Sequence, residues 1–151
     1  MIGELQFKKL AEAPHVVDEC GRWLFEEWGY RKKASLIEVQ ARFRCRMSRN
    51  EVPIAFVAIH GHQAAGTISI IDKEDASDEV GPWIASLFVP NAFRGQGIAR
   101  QLLRTAEDHA VRLKISSIWL SASVPEMYFA AGYTMTALTK NGEPVMMKTL
   151  L

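Results

Sequence analysis

Apolar residues near the start of the chain recur at the spacing of a helix. Across residues 14–28 they stand three or four positions apart, at Val16, Val17, Cys20, Trp23, Leu24 and Trp28. This period predicts an amphipathic helix, because every third or fourth side chain lies on one helical face. Pro14 suits the first turn of this helix, and Gly29 suits its end.

Further along the chain, helical spacing alternates with short apolar runs. Such runs predict strands when turn residues bound them, whereas Ser-x-x-Glu before an apolar period predicts the start of a helix. The predicted elements are a weak strand at 6–10, a helix from Ser35 to about Met47, strands at 53–60, 63–72, 82–90 and 115–122, a helix at 98–113, a short helix with a capping box at Ser123 and Glu126 that ends at Gly132, and a hairpin of strands 133–139 and 145–150 around Asn141-Gly142. The sum is about seven strands and four helices in one mixed sheet, an α/β or α+β fold in a single domain over residues 1–151.

The bulk composition narrows the function classes. With 151 residues, 48% of them hydrophobic and a formal net charge of +1, the chain offers no electrostatic case for nucleic acid or an anionic membrane as partner. Cys20 and Cys45 suggest neither a disulfide framework nor a zinc site, so no metal is expected and a reducing, cytoplasmic setting fits best. The chain start lacks the layout of a signal peptide, and no apolar run is long enough to cross a bilayer.

The most informative stretch is a glycine-rich turn between a predicted strand and a predicted helix. It reads Arg94-Gly95-Gln96-Gly97-Ile98-Ala99. Amides at the start of a helix lack intrahelical partners, and the helix dipole adds positive charge there, so such a turn can bind phosphate. The alternative is an ordinary tight turn. A dinucleotide fingerprint is excluded because Arg100 replaces its third small residue, and a Walker loop is excluded because no Gly-Lys-Ser/Thr is present.

Two segments together resemble a known family. Residues 94–99 are similar to motif A of the GNAT superfamily of N-acetyltransferases, Q/R-x-x-G-x-G/A, and residues 127–133, Met-Tyr-Phe-Ala-Ala-Gly-Tyr, resemble the Leu-Tyr-x-x-x-Gly-Phe segment of that family. The resemblance is strong over residues 82–135 and covers residues 4–72 only as an order of elements. It implies a mixed, mostly antiparallel sheet and acetyl-CoA as co-substrate.

The resemblance also implies a cofactor site. The strand before motif A would bind the pantetheine arm through its main chain, and the turn would hold the pyrophosphate through its amides. The implied residues are Leu87, Phe88 and Val89 for pantetheine, Arg94, Gly95, Gln96, Gly97, Ile98 and Ala99 for the pyrophosphate, Arg100 as an added charge or a solvated helix-face residue, and Ser123 as a pantetheine contact or a helix cap.

Tyr128 matches the general acid of the family, which protonates the departing CoA thiolate. A phenol suits this role because its pKa of about 10 keeps it protonated at neutral pH, so it can protonate the sulfur or donate a hydrogen bond to it as it leaves. The alternative is a tyrosine that only packs between the short helix and the sheet.

The general base and the acceptor site are left open by the sequence. Asp78, Glu79, Glu26 and Glu27 are candidate bases, with Glu79 and Glu27 preferred, and water or a backbone carbonyl could serve instead. The expected acceptor is a small-molecule or peptide amine, held beside acids and aromatics. The aromatic residues expected there are Trp28, Tyr30 and Trp83.

Two function classes remain, an N-acetyltransferase that works by direct attack in a ternary complex and a non-catalytic acyl-CoA sensor on the same fold. A homodimer is compatible with either. The histidines carry little information, because His60 and His62 bracket a turn, and His15 and His109 are expected on helix surfaces.

Overall fold

Strands and helices alternate along residues 4–151, which are the residues that the computed structural model describes. Within these residues the elements are β1 (Leu5–Lys9), α1 (Val17–Trp28), α2 (Leu36–Arg44), β2 (Ile54–His60), β3 (Gln63–Ile71), β4 (Trp83–Phe88), α3 (Ile98–Arg112), β5 (Ser117–Ser121), α4 (Pro125–Ala130), β6 (Thr134–Lys140) and β7 (Glu143–Thr149), with 3-10 turns at Leu10–Glu12, Pro14–Val16, Gly29–Lys32 and Asn91–Phe93.

The seven strands found in residues 4–151 form one sheet in the order β1-β2-β3-β4-β5-β7-β6. Neighbouring strands run antiparallel, except that β4 and β5 run parallel. The chain reaches β5 from β4 through α3, as a parallel pair requires a crossover connection. The prediction of a mixed, mostly antiparallel sheet with about seven strands and four helices is therefore confirmed.

Helices cover both faces of the sheet. Side chains from α3 pack against Phe56 and Ala58 of β2, whereas side chains from α1 and α2 pack against Ala55 and Val57 on the opposite face. This arrangement follows from the alternation of side chains along a strand. A strand buried on both faces reads as a continuous apolar run, which explains why β2 lacks polar alternation.

The start of α2 agrees with the prediction, but its end does not. Ser35 Oγ accepts a hydrogen bond from the Glu38 amide, and Glu38 Oε1 accepts one from the Ser35 amide, as the capping box predicts. The helix ends at Arg44 instead of Met47, because Met47 forms a bridge with Ile54 of β2. Strand pairing by the residues after α2 thus ends the helix earlier than its apolar period predicts.

The second predicted capping box is wrong. Helix α4 has Val124 as its N-cap, and no side chain caps it. Pro125 is the reason, because proline favours the first helical position, where its fixed φ fits and its missing N–H is not needed. Ser123 therefore lies one residue too early to cap the helix.

His109 is buried, and its expected position on a helix surface is wrong. Its residue exposure is 4%, and its ring packs against Phe56 with a centroid distance of 5.3 Å. Neither ring nitrogen has a hydrogen-bond partner among the described residues. Burial lowers the pKa of this imidazole, and the nearby charges of Lys9 and Arg112 lower it further.

We expect His109→Leu to stabilise the protein, and the gain to grow as the pH falls. Removing a buried, unpaired polar group should raise the free energy of unfolding by about 1 kcal/mol at pH 7. Because the folded-state pKa lies below the unfolded value, the unfolded chain takes up a proton first, and wild-type stability declines as the pH drops below about 6.5. Urea unfolding at pH 7 and pH 5 measures both effects.

The control for this prediction is Gln63→Leu at an exposed position of β3, which removes no titratable group and should show no pH-dependent gain. If His109→Leu and wild type differ in unfolding free energy by the same amount at pH 7 and pH 5, that result would contradict a lowered pKa of His109 in the folded state.

Candidate functional site

The sheet opens between β4 and β5. The two strands pair only at Trp83 and Trp119, where the Trp119 amide donates to Pro82 O at 3.1 Å. Beyond that point the pairing of β4 with β3 shifts register, and Ser86 adopts a left-handed φ of 57°. A bulge of this kind bends a strand, so the far end of β4 has no strand neighbour on its β5 side.

A cleft extends from this opening over the sheet face that α1 and α2 cover. Its walls combine residues from distant parts of the chain, which the fold brings together. Among the lining residues are Glu27 and Trp28 of α1, Arg46 after α2, Ser86 and Leu87 of β4, Ser123, and Tyr128 of α4. Thus Glu27, Glu79, Leu87, Ser123 and Tyr128, all singled out in the sequence, line one cleft.

The glycine turn lies on the surface beyond the cleft. Gly95 and Gly97 have φ values of 81° and 78°, and no heavy atom lies within 4 Å of the place where a Cβ would stand on either. Helix α3 begins at Ile98 with Gly97 as its N-cap, and no side chain caps it. The amides of its first turn therefore have no side-chain cap, and the absence of Cβ atoms at Gly95 and Gly97 lets a ligand approach them closely.

The two arginines of this segment differ. Arg94 folds back over the end of β4, where its Nε donates to Val89 O at 2.8 Å and its guanidinium carbon lies 5.7 Å from the centroid of the Phe88 ring. These contacts brace the loop that precedes the turn. Arg100 is exposed in the first turn of α3.

The side chains of Phe88 and Val89 do not line the cleft. Phe88 packs against Trp23 and Trp28, at centroid distances of 5.6 Å and 6.3 Å. A role for Phe88 and Val89 in binding therefore depends on their main chain, as the sequence predicts.

Tyr128 presents its ring to the cleft and packs edge-on against Tyr133, at a centroid distance of 5.9 Å. Burial raises the pKa of Tyr128 to about 12, and the charge of Glu143 adds to the shift. The phenol therefore keeps its proton at neutral pH and can donate it. Tyr133 has its hydroxyl occupied instead, because it donates to Glu107 Oε2 at 2.8 Å.

The structure separates the four carboxylates considered from the sequence. Glu27 and Glu79 line the cleft, whereas Glu26 does not. Asp78 does not line it either, because Lys140 pairs with this carboxylate and the Glu74 amide donates to it at 2.8 Å. Although burial opposes the change, these hydrogen bonds lower the pKa of Asp78.

Glu74 is a cleft carboxylate that the sequence did not reveal. Burial raises its pKa, although Lys140 Nζ lies 3.9 Å from its Oε2 and opposes the shift. The sequence around it reads only as a polar, acidic loop over residues 73–79, which contains no periodic signal. Arg46 and Ser86 were also missed, because the register shift in β4 that exposes Ser86 has no sequence signature.

The aromatic side of the cleft agrees with the prediction in part. Trp28 and Tyr30 line it. Trp83 does not, and its expected place at the acceptor site is wrong: it is 2% exposed, and its Nε1 donates to Val80 O at 2.8 Å. The reason is that Trp83 lies where β4 and β5 still pair, before the sheet opens.

Across residues 4–151 no helix is both long and apolar enough to cross a bilayer. The same residues contain no group of three or more His, Cys, Asp or Glu placed to hold a metal ion.

Known proteins share both sequence features and the fold with this chain. A family described as "Acetyltransferase (GNAT) family" matches residues 15–133. An aminoglycoside 6'-N-acetyltransferase complexed with coenzyme A aligns with a TM-score of 0.76 at 16% identity, over 98% of this chain and 97% of that one. An aminoglycoside 6'-acetyltransferase type Ii gives 0.74 at 18% identity, over 98% and 97%.

A third solved structure is the PaiA N-acetyltransferase from Thermoplasma acidophilum in complex with coenzyme A. It aligns with a TM-score of 0.60 at 17% identity, over 97% of this chain and 99% of that one. A search of curated protein sequences gave no match. At these identities the structural likeness concerns the fold.

Proposed function

This chain belongs to the acetyltransferase (GNAT) family, and we propose that it transfers the acetyl group of acetyl-CoA to an amine of a small molecule or peptide. The observation that carries the proposal is the course of β4. It runs along the cleft, leaves β5 at Trp83 and leads directly into the glycine turn at the start of α3. A bound molecule could therefore reach from the open amides of that turn to Tyr128.

The chain offers a fitting place for two parts of the co-substrate, the pyrophosphate and the pantetheine arm. The amides of residues 95–99, together with the dipole of α3, suit a pyrophosphate, and Arg94 and Arg100 add positive charge nearby. The unpaired side of β4 at Leu87, Phe88 and Val89 suits the amides of pantetheine, which can pair like an added strand. Ser123 also lines the cleft. The family and the coenzyme A complexes of two structural neighbours support this placement.

Tyr128 is the proposed general acid. Acetyl transfer breaks the bond between the carbonyl carbon and the sulfur, and the departing thiolate needs a proton or a strong hydrogen bond. Because its pKa is raised to about 12, Tyr128, which lines the cleft, carries its proton at neutral pH. No covalent enzyme intermediate is required, since an amine can attack the thioester directly.

A cleft carboxylate is the proposed base that takes the proton of the amine. Glu27 and Glu79 are the candidates from the sequence, and both line the cleft on exposed positions. Glu74 joins them, and its raised pKa favours it, because a base works best when its pKa approaches the working pH.

The test of the proposed function is release of free thiol from acetyl-CoA in the presence of polyamines, aminoglycosides, amino acids and N-terminal peptides. We expect amine-dependent release with at least one class, accompanied by saturable coenzyme A binding in calorimetry. Coenzyme A binding with background release for every amine would favour the alternative, a non-catalytic acyl-CoA sensor.

A further inference from the structure

Arg46 is a half-buried cation in the cleft that the proposed chemistry does not use. Its backbone is fixed beside β2, because the Ala55 amide donates to Arg46 O at 2.9 Å. From there its side chain crosses the sheet. Its Nη1 donates to Ser69 Oγ of β3 and to Ser86 Oγ of β4, both at 3.0 Å. The guanidinium is therefore held in one orientation at the bulge where the sheet opens.

The charge of Arg46 has no ionic partner in residues 4–151. None of the ion pairs among these residues includes it. Burial lowers its pKa to about 10, although the negative charge of Glu74 opposes the shift, so Arg46 remains a cation at neutral pH. Buried charges are usually paired, and an unpaired one in a cleft suggests that its counter-charge arrives with a ligand.

The free edge of the guanidinium has a defined shape. Both serine bonds come from Nη1, which leaves Nε and Nη2 without a hydrogen-bond acceptor in the described part of the chain. Neither nitrogen is fully buried, so both keep access to solvent in a side chain that lines the cleft. The edge formed by Nε and Nη2 presents two parallel N–H groups, the geometry that binds a carboxylate in a bidentate manner.

We propose that Arg46 binds a carboxylate of the acceptor through its Nε and Nη2 edge, so that the acceptor is an amino acid or another amine that bears a carboxylate. This inference rests on the proposed function. The cleft supplies the opposite charge as well, because Glu27 and Glu79 line it. An acceptor with both an ammonium and a carboxylate group matches this pair of charges better than a polycation does.

The test uses pairs of amines that differ only in the carboxylate, such as phenylalanine with phenethylamine, lysine with cadaverine, and the common amino acids with their amides. For wild type we expect the carboxylate-bearing member of at least one pair to have the higher kcat/KM by about tenfold or more, the effect of a charged hydrogen-bonded pair. Arg46→Gln should abolish that preference mainly through KM, and Arg46→Lys should restore part of it.

Controls separate this role from a structural one. Arg44→Gln removes the same charge two residues away and outside the cleft, and should keep the preference. Calorimetry should show unchanged coenzyme A affinity in Arg46→Gln. If that variant fails to fold, the wild-type ratio for the matched pairs decides alone.

The outcomes distinguish the two proposals. Wild type that binds coenzyme A and acetylates the members without a carboxylate equally well, or acetylates no carboxylate-bearing amine, overturns the inference about Arg46 and leaves the proposed function standing. Background thiol release with every amine, whether or not coenzyme A binds, would overturn the proposed function, and the inference with it.

Discussion

Gly97→Val should abolish coenzyme A binding in a protein that still folds. Gly97 has a φ of 78° at the N-cap of α3, and the space where its Cβ would stand is open. In the proposed complex the pyrophosphate occupies that space, so a branched side chain would displace it from the helix amides. We expect calorimetry to show affinity reduced at least about 100-fold, given several charge-assisted hydrogen bonds at stake.

The matched control is Gly61→Val in the turn between β2 and β3. Gly61 has a φ of 66° and equally open surroundings. Both substitutions therefore carry a similar backbone cost of about 1–3 kcal/mol, and the melting temperature should fall by a similar amount in each variant. Only Gly97→Val should lose coenzyme A. Equal coenzyme A affinity in the two variants would place the pyrophosphate elsewhere.

Tyr128→Phe should lower turnover by about 100-fold or more, the usual contribution of a general acid. The substitution removes one oxygen atom that forms no hydrogen bond within residues 4–151, and it keeps the ring that packs against Tyr133. Folding and coenzyme A affinity should therefore change little, and the loss should fall on kcat in the thiol-release assay.

Tyr133→Phe provides the control for this experiment. It deletes the neighbouring hydroxyl, which donates to Glu107, so it should cost about 1 kcal/mol of stability without a comparable loss of turnover. Undiminished turnover in Tyr128→Phe would remove Tyr128 from the mechanism.

The sequence predicts the elements well where a strong period or a local motif is present. Helix α3 carries a clear apolar period, and its bounds match the predicted 98–113 to one residue. The cap at Ser35 depends on residues four positions apart or fewer, and it forms as predicted. Caps and helix periods of this kind can be predicted from the sequence because every interacting group lies on the same short segment.

Features that depend on distant contacts could not be read in this way. The early end of α2 results from pairing between Met47 and Ile54, and the sequence does not show which strand will compete for the chain. His109 lies on the apolar stripe of α3 at helical spacing from Ala106, a signal outweighed by its polar ring. Trp83 is expected at the acceptor site because an aromatic ring beside acids suits a cationic amine, but its position before the sheet opens is a matter of register.

The residues of the cleft also divide into those marked by local motifs and those brought together by distant contacts. The glycine turn and Tyr128 are marked by motifs, so they could be named in advance. Arg46, Glu74 and Ser86 come together only through the bulge in β4 and the pairing of residues after α2 with β2. Residues that we propose to contact the acceptor are therefore harder to predict here than residues that would bind the shared co-substrate.

A crystal structure of the protein with coenzyme A is the most direct measurement of the central proposal. It should show diphosphate oxygens within about 3 Å of the main-chain nitrogens of residues 95–99, the usual hydrogen-bond distance. The pantetheine arm should run beside β4, with its sulfur near the Tyr128 hydroxyl. Coenzyme A bound away from this turn, with those nitrogens contacting only solvent or protein, would contradict the account.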